Sequence, residues 1–586
     1  MKQHLVPLVD DALTALKARG ALALAAPPAY VVGPPKDAAH GDLQCNVAMV
    51  LAKPEGKQPR AIAELVAAEL RARTSVVARV EVAGPGFINV TLVDAVVQSV
   101  AREVLTAGDA WGIRPKRSSG KRVMVEFCSA NPTGPVHVGH ARGTFTGDAI
   151  ARVLEAAGHD VTREFYINDH GNQVDNLGRA VQARYLELHG AGGAFVAEYP
   201  GEYVKEIARA FSDVHGAKLV GAPSDAWLAE ARAFAIAHNL AAIKRSLAKA
   251  NVRHDVFTSE ASLHESGRVI AVVDHYRQRG VTYEADVARG TEGKKRREES
   301  KAAQYEERQQ GGTFLMTSLQ GDEEDRVILR KDGTPVYLTA DLAYHKDKFD
   351  RGFDRAVDVF GADHGGHVPR IKAGVKLLGD ERNMDFVLVQ MVKITRDGQE
   401  VKLSKRKGTV YELDDLLEDA GADPCRIMFL DRTVTSQLDF DLALVEKQSK
   451  DSPVWYFKYG HARCAQILKR AAEGGQAFAG PAHLEALTLP EERAMLMRMG
   501  AFADVVVGAA EALEPHRVLT YCRELIAGFH GYYSKYKDSE RVISDDKDKT
   551  QARLSLVAAL KQTLKNAFMV IGVDAPDYMA APEQED

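Results

Sequence analysis

Residues Arg122 to Glu155 read RVMVEFCSANPTGPVHVGHARGTFTGDAIARVLE, and this stretch decides the fold. Its first six residues form a β-branched run that is typical of a buried parallel strand. The segment NPTGP at 131–135 then disfavours both helix and strand. Helical periodicity resumes after His137. The order of strand, tight turn and helix predicts the first half of a nucleotide-binding βα unit.

The start of that helix carries two histidines, His137 and His140, on one face of the first turn. A helix N-terminus attracts phosphate through its unpaired N–H groups and partial positive charge. Both imidazoles can donate to a phosphate chain, and Gly139 leaves space for a base close to the backbone. A polar first turn and a metal-binding pair are the alternatives. A metal site needs a third ligand, and none is nearby in the sequence.

A second cationic stretch, VKLSKRKGT at 401–409, lies far along the chain. A mobile cationic loop can close over a triphosphate and stabilise the charge that develops as pyrophosphate leaves. A solvated charge run is the alternative for this stretch alone. HVGH and KLSKR, in this order, resemble the HIGH and KMSKS motifs of class I aminoacyl-tRNA synthetases. Those enzymes activate an amino acid with ATP and then esterify it to tRNA.

Four further stretches, EFCSANPTGPVHVGHARG, YLTADLAYH, GADHGGHVPR and YGHARCAQIL, are similar to arginyl-tRNA synthetases. The resemblance runs in the family's order from about His40 to Met579. It implies ATP and Mg²⁺ as cofactors, L-arginine and tRNA(Arg) as partners, and transfer of arginine to the 2′-hydroxyl of the terminal adenosine. The catalytic residues that follow from it are His137, Gly139, His140, Lys402 and Lys405. The ATP-binding residues are Ala130, Asn131, Pro132, Thr133, Gly134, Pro135, Val136, Val138, Gly361, Asp363 and Ser404.

An arginine side chain needs planar carboxylates and other acceptors in a fixed arrangement. The candidates near predicted strand ends are Glu126, Asn131, Tyr337, Asp341 and His364. Tyr337 and Asp341 are four residues apart, so one helical face can present both. The resemblance assigns Glu126 and Asn131 to substrate recognition, Tyr337 and Asp341 to the guanidinium, and His364 to the pocket. Without it, an exposed acidic residue near a helix start explains Asp341 equally well.

The flanking sequence predicts three units. Residues 1–115 form an α+β N-terminal domain that binds tRNA, by resemblance to the family. Residues 116–452 form a Rossmann-type α/β catalytic domain with a parallel sheet and a helical insertion at about 190–327. Residues 453–586 form an all-helical domain, with helices expected over 454–470, 491–513, 518–536 and 550–571, and it resembles the anticodon-binding domain of the family. His170 stands where the family usually has another residue, and we assign it no role.

Aromatic and cationic side chains in the outer units are candidates for tRNA contacts because they can stack on splayed bases. These residues are Phe87, Asn89, Tyr459, Arg463 and Tyr532. A position in the hydrophobic core is the alternative for each ring. The polar stretch 293–310 departs from the family pattern, and a solvated surface loop is favoured there over a tRNA contact.

The composition of the 586 residues, 45% hydrophobic and 27% charged, is that of a soluble multidomain protein. The net charge of −5 counts mildly against a nucleic-acid partner, but a local basic face is compatible with it. No apolar run approaches the ~20 residues of a membrane span, and the N-terminus lacks a secretion signal. We expect a cytoplasmic monomer without membrane attachment and without a metal ion held by protein ligands. The cysteines form no CxxC pair, which argues against a zinc ribbon or a disulfide framework; they are Cys45, Cys128, Cys425, Cys464 and Cys522.

Three other interpretations are open. A class I synthetase of the cysteine or glutamine type would keep the ATP chemistry with a different pocket, although a cysteine type would want zinc-binding thiols. A small nucleotidyltransferase shares HxGH-like loops, but the extra outer units argue against it. A non-catalytic tRNA-binding relative is disfavoured because His137, His140, Lys402 and Lys405 are all present.

Overall fold

The computed structural model describes residues 1–26, 28–192, 199, 201–286, 311–380, 382–401, 411–449 and 451–579. The candidate catalytic residues Lys402 and Lys405, the ATP-binding candidate Ser404 and the polar stretch 293–310 lie outside the described residues.

The N-terminal unit combines helices with a sheet, as the sequence predicts. Its elements are α1 (Lys2–Ala18), β1 (Val32–Gly33), β2 (Leu43–Cys45), α2 (Val47–Glu55), α3 (Pro59–Arg71), β3 (Val77–Ala83), β4 (Phe87–Leu92) and α4 (Asp94–Ala107). The strands form an antiparallel sheet in the order β1-β2-β4-β3. The turn between β3 and β4 requires glycine at Gly86, because its φ is 145° and a Cβ there would lie 3.0 Å from the backbone of Pro59.

The catalytic unit alternates strands and helices. In chain order its elements are β5 (Arg122–Glu126), α5 (Val138–Ala156), β6 (Asp160–Ile167), α6 (Asn172–Leu188), α7 (Glu202–His215), α8 (Leu228–Lys249), β7 (Val256–Ser259), α9 (Glu260–Glu265), α10 (Arg268–Gln278), β8 (Thr282–Ala285), β9 (Gly312–Leu315), β10 (Arg326–Arg330), α11 (Tyr337–Asp350), β11 (Arg355–Gly361), α12 (Val368–Leu377), β12 (Asn383–Val389), β13 (Val392–Arg396), β14 (Gln399–Glu400), α13 (Leu413–Ala420), α14 (Ala422–Leu430), β15 (Leu438–Asp441) and α15 (Leu442–Glu446).

The core of this unit is a parallel sheet whose described strands lie in the order β12-β11-β5-β6-β7. The chain first extends the sheet from β5 towards β7 and later adds β11 and β12 on the other side of β5. The strand order therefore reverses between β5 and β11. In an open α/β sheet, the crevice outside the carboxyl ends of the strands at such a reversal is where ligands bind.

The predicted helical insertion at 190–327 is only partly helical. Its middle contributes β7 to the central sheet, and β8, β9 and β10 form a separate antiparallel sheet. The sequence pattern missed β7 because the strand has four half-buried residues, too few to establish a period of two. Helices α7 and α8, which pack against α6, are the helical part of the insertion.

The C-terminal unit is helical throughout its described residues and consists of α16 (Pro453–Glu473), α17 (Pro490–Gly500), α18 (Phe502–Ala512), α19 (His516–Tyr536) and α20 (Lys547–Ile571). The single helix expected over 491–513 is two helices. The break falls after Gly500, where a Cβ would lie 2.4 Å from the sulfur of Met1. Arg493 of α17 binds the carboxylate of Asp42 at 2.6 Å, which fastens this unit to the N-terminal sheet.

Helix α20 is the one described helix that is long and apolar enough to cross a membrane by length and composition. In the structure, 78% of its most apolar stretch is buried inside the protein. Its apolar residues pack against α16 and α4, so it serves as the core helix of the C-terminal unit.

Candidate active site

The HVGH segment lies at the predicted crevice. It follows the carboxyl end of β5 and forms the N-terminus of α5, at the reversal of strand order. His137 is the N-cap residue, and its Nδ1 accepts a hydrogen bond from the backbone N–H of Gly139 at 3.1 Å. A Cβ on Gly139 would lie 2.8 Å from the imidazole of His137. Glycine at this position therefore lets the His137 ring lie flat against the first turn.

The two imidazoles lie together at the start of α5. Their ring centroids are 4.0 Å apart. Burial lowers the pKa of His137. Burial, followed by the proximity of His137, lowers the pKa of His140 to about 4, while the carboxylate of Asp363 opposes this change. A neutral imidazole can still donate one N–H to a phosphate oxygen.

The loop before the HVGH segment is held from both sides. The Ser129 hydroxyl donates to Glu126 Oε1 at 3.0 Å and accepts from the backbone N–H of Tyr166 at 3.1 Å. From the insertion, the hydroxyl of Tyr203 donates to the Thr133 carbonyl at 2.8 Å. The predicted ATP-binding loop is therefore fixed at its start by the sheet and at its end by helix α7. Among its members, Ala130, Pro132 and Val136 are buried, Thr133, Gly134 and Val138 are half-buried, and Asn131 and Pro135 are exposed.

The chain returns to the HVGH segment after residue 410. His137 and Glu412 form an antiparallel bridge. Val138 N–H donates to the Tyr411 carbonyl at 3.0 Å, and Leu413 N–H donates to the Val136 carbonyl at 2.8 Å. The residues that follow the cationic stretch 401–409 are therefore fixed beside the histidines.

The second loop of the crevice follows β11. Gly361 ends β11, and Asp363 and His364 lie in the 3₁₀ turn that follows it, Ala362–Gly366. Asp363 and His364 are exposed, and both act electrostatically on His140. The structure thus brings the residues predicted from GADHGG to the same crevice as HVGH.

Glu126 lies at the end of β5 and belongs to a buried charge network. Its Oε2 accepts from Lys348 Nζ at 2.7 Å, and the same ammonium binds Asp358 at 2.7 Å. His345 Nε2 lies 2.8 Å from the other oxygen of Asp358. Burial raises the pKa of Glu126, although Lys348 opposes the rise. Each carboxylate oxygen accepts more than one hydrogen bond, so Glu126 keeps capacity for a ligand.

The other predicted arginine-binding residues lie around the start of α11. The hydroxyl of Tyr337 accepts a hydrogen bond from Asn168, and its side chain is exposed. One turn further, Asp341 Oδ2 lies 2.7 Å from His367 Nε2. Asn131, which follows β5, donates to Gln173 of α6 at 3.1 Å. Tyr337 and Asp341 thus share one helical face, as their spacing predicts.

Glu260, the first residue of α9, is an acidic group that the sequence pattern did not single out. Its side chain is 5% exposed, and its Oε2 makes no hydrogen bond to any described residue. Burial raises its pKa to about 7, and the negative charge of Asp341 adds to the rise. It also acts electrostatically on Tyr337. A lone Glu in VFTSEASL has no sequence pattern that marks it, and only β7 brings it to the sheet edge.

The candidate tRNA-binding residues of the N-terminal unit lie on β4. Phe87 is half-buried, whereas Asn89 is buried and accepts a hydrogen bond from Gln44 at 2.9 Å. The expectation that Asn89 is available for a tRNA contact is therefore corrected, because the side chain is buried. The central position of β4 in the sheet, between β2 and β3, accounts for its burial.

In the C-terminal unit, Tyr459 is half-buried and stacks on Trp455 with ring centroids 4.1 Å apart. The guanidinium of Arg463 lies over the ring of Tyr533 at 4.4 Å. Tyr532 is 1% exposed, and its hydroxyl donates to buried Glu492. Tyr532 is therefore a core residue in this structure, and the expectation that its ring is available to a base is corrected.

Three protein-family models match consecutive parts of the chain. They are the arginyl tRNA synthetase N terminal domain at residues 4–92, the catalytic domain of tRNA synthetases class I (R) at 102–191, and the DALR anticodon binding domain at 457–579. The second of these segments contains β5, the HVGH segment and α5.

Similar proteins match over almost the whole chain. The arginine–tRNA ligase of Anaeromyxobacter dehalogenans (strain 2CP-C) is 44% identical over 573 residues, which cover 96% of this chain and 95% of the relative. That of Jannaschia sp. (strain CCS1) is 44% identical, with 94% and 95% covered. The Thermus thermophilus arginyl-tRNA synthetase shares the fold, with a TM-score of 0.72 at 21% identity over 99% of this chain and all of that chain. The motifs, the three domains and the full-length identity together establish that the chain belongs to the arginyl-tRNA synthetase family.

Proposed function

We propose that the protein is an arginine–tRNA ligase that activates L-arginine with ATP and transfers it to the terminal adenosine of tRNA(Arg). One observation carries the choice of arginine. The Oε2 atom of buried Glu260 makes no hydrogen bond to a described residue, and the carboxylate lies near Asp341, at the same sheet edge as the HVGH segment. A guanidinium offers five N–H donors and a permanent positive charge, so it would satisfy both carboxylates.

The reaction needs no nucleophile from the protein. The carboxylate of arginine attacks the α-phosphorus of ATP, the bond to the β-phosphate oxygen breaks, and pyrophosphate leaves with the electron pair. His137 and His140 donate to the phosphates from the N-terminus of α5, and Lys402 and Lys405 stabilise the negative charge of the departing pyrophosphate. The 2′-hydroxyl of the terminal adenosine then attacks the adenylate, and AMP leaves. Catalysis rests on positioning and charge.

Mg²⁺ is the proposed metal partner of ATP, and it neutralises phosphate charge when bound. Mg²⁺ is usually bound by one or two carboxylates together with substrate phosphates. The exposed carboxylate of Asp363 acts on His140 and fits that description. Asp363 would hold the ion through one carboxylate at the edge of the nucleotide site.

Selection against lysine or citrulline follows from the acidic pocket. An analogue that lacks the guanidinium cannot offer the same planar set of N–H donors to Glu260 and Asp341 together. A site built to hydrogen-bond its substrate rejects such analogues by about 10⁴-fold or more without an editing domain.

The experiment is ATP–pyrophosphate exchange with each of the amino acids, with and without tRNA(Arg). Exchange with arginine and with no other amino acid supports the proposal. Exchange with cysteine or glutamine instead would show that the protein has another class I specificity. Charging of tRNA(Arg) distinguishes a ligase from a nucleotidyltransferase. The five free cysteines fit a reducing cytoplasm, and light scattering tests the expected monomer.

A further inference from the structure

Two histidines and a glutamate meet at the carboxyl edge of the central sheet, beside the nucleotide site. His170 follows β6, whereas Glu260 and His264 lie on α9, directly after β7. One potential ligand atom from each of the three side chains lies within 4.8 Å of the other two. The rings of His170 and His264 stack with centroids 4.0 Å apart, and His264 Nε2 lies 3.8 Å from Glu260 Oε1.

The side chain of Asp169 connects the two chain segments that carry this cluster. One oxygen of Asp169 accepts from the hydroxyl of Ser259 at 2.6 Å, and the other accepts from the backbone N–H of Ala261 at 2.8 Å. Ser259 is also the N-cap of α9. Asp169, the residue before His170, thus binds the two residues that flank Glu260 in the sequence. The fold therefore fixes the backbone positions that carry the three side chains, of which only His170 is exposed.

The ligand types indicate which ion the cluster would take. Two imidazoles and one carboxylate form a set that binds Zn²⁺ and leaves a fourth position open. Ca²⁺ and Mg²⁺ prefer oxygen ligands alone. Donor atoms around a tetrahedral Zn²⁺ are about 3.3 Å apart, by the usual Zn–N distances. The distances between the potential ligand atoms in the structure exceed this value by at most about 1.5 Å. Rotation of the exposed His170 ring can shorten the distances from its nitrogen atoms to the other two ligands.

The cluster also has a buried acceptor in need of a cation. Glu260 is 5% exposed, and its Oε2 makes no hydrogen bond within the described parts of the chain. A buried carboxylate without a partner is costly, and a bound cation removes that cost. In the proposed arginine pocket, Glu260 binds the guanidinium of arginine. A metal ion and arginine would then compete for the same carboxylate.

We propose that His170, Glu260 and His264 form a Zn²⁺ site, and that Zn²⁺ and arginine exclude one another there. Zinc bound in this way inhibits arginine activation. The binding of zinc stands on the three ligands alone, whereas the exclusion of arginine rests on the proposed function.

The test is equilibrium dialysis of Zn²⁺ against the metal-free full-length protein, with the variants His170→Ala and His264→Ala. Loss of groups that only support a metal ligand weakens binding about 10–100-fold, so loss of a direct ligand should raise the Kd at least about tenfold. His483→Asn is the matched control, because it removes an exposed imidazole from the C-terminal unit at a position with φ 53°, which Asn tolerates. We expect its Kd to equal that of the unmodified protein.

The site is overturned if His170→Ala, which alters an exposed side chain, binds zinc as tightly as the unmodified protein. Saturating L-arginine should raise the Kd for Zn²⁺ at least about tenfold, by the same competition for Glu260. Zinc binding that arginine leaves unchanged overturns the exclusion. Exchange with arginine in zinc-free buffer reports on the proposed function by itself, so failure of that function and failure of the zinc site are separate results.

Discussion

His137 and Glu412 form an antiparallel bridge between the N-terminus of α5 and the start of α13. The bridge joins two stretches that the sequence separates by most of the catalytic unit. Because Val138 and Leu413 both donate backbone hydrogen bonds across it, the bridge fixes the chain on either side of the two residues. The positions that follow the cationic stretch are thereby tied to the histidines that bind phosphate in the proposed mechanism.

The bridge can be weakened at one backbone donor. Leu413→Pro removes the N–H that donates to the Val136 carbonyl at 2.8 Å, and proline is tolerated at the first position of a helix. Leu413→Ala removes the same buried side chain but keeps the donor, so it is the control. A misplacement of about 1 Å costs up to about 10²-fold in rate. We expect kcat for arginine-dependent exchange to be at least about tenfold lower in the proline variant than in the alanine variant; equal values would contradict a role for the bridge.

Gly139 offers a test of the His137 position. In Gly139→Ala the new Cβ would lie 2.8 Å from the His137 ring, so the ring must move. We expect pyrophosphate exchange to fall at least about tenfold, because the ring no longer meets the phosphates in the required geometry. Gly143→Ala is the control in the same helix, since a Cβ there meets nothing within 4 Å. That variant should keep its exchange rate and gain stability, by up to about 1 kcal/mol.

Glu260→Gln tests the arginine pocket. The substitution keeps the size of the side chain and removes the charge that faces the guanidinium. A hydrogen bond to a charged group contributes about 1.5–3 kcal/mol, so KM for arginine should rise by about 10–100-fold while KM for ATP stays unchanged. Glu265→Gln, at the exposed end of the same helix, should change neither. A rise in both KM values for Glu260→Gln would indicate a general distortion of the site.

We expect His254 to make the folded protein less stable in acid. It is packed against Phe127, donates to the Phe127 carbonyl at 3.2 Å, and burial lowers its pKa from 6.5 to about 4. The unfolded chain therefore takes up a proton below pH 6.5 that the folded protein takes up only near pH 4, and the free energy of unfolding falls as the pH drops through that window. The expected loss between pH 7 and pH 5 is about 2 kcal/mol.

Thermal unfolding at the two pH values measures this loss. In His254→Gln, whose amide can still donate to the Phe127 carbonyl, the unfolding midpoint should depend less on pH than in the unmodified protein. An equal dependence would show that other groups cause the acid sensitivity. His140, whose pKa is also lowered to about 4, should contribute in the same direction and serves as a second position to examine.

The sequence predicts the elements that have a clear period or a clear turn. The strand predicted at the start of the 122–155 stretch is found as β5 (Arg122–Glu126), and α5 begins where the histidines start. Tyr337 and Asp341 fall on one face of a helix, as their spacing requires. These features depend on local sequence, which is why the nucleotide-binding βα unit is predictable from the sequence.

Features that depend on contacts between distant residues were not predictable in this way. Glu260 reaches the site because β7 joins the edge of the central sheet, and four half-buried residues leave no period. The helix expected at 491–513 breaks at Gly500 because Met1 packs there. Tyr532 is buried against Glu492, which its aromatic sequence neighbourhood does not reveal. The cluster of His170 with His264 likewise forms only because β6 and β7 are neighbours in the sheet, an order that the local sequence does not reveal.

Double substitution of His140 and Lys405 is the most direct test of the central claim that the HVGH segment and the cationic stretch 401–409 act on the same triphosphate. Each of His140→Ala and Lys405→Ala should lower adenylate formation by about 10²–10³-fold, measured by arginine-dependent pyrophosphate exchange. Residues that act as a unit are not additive, so the double variant should lose less than the product of the single losses. Unchanged exchange in Lys405→Ala, or a double variant that loses the full product, would contradict the account.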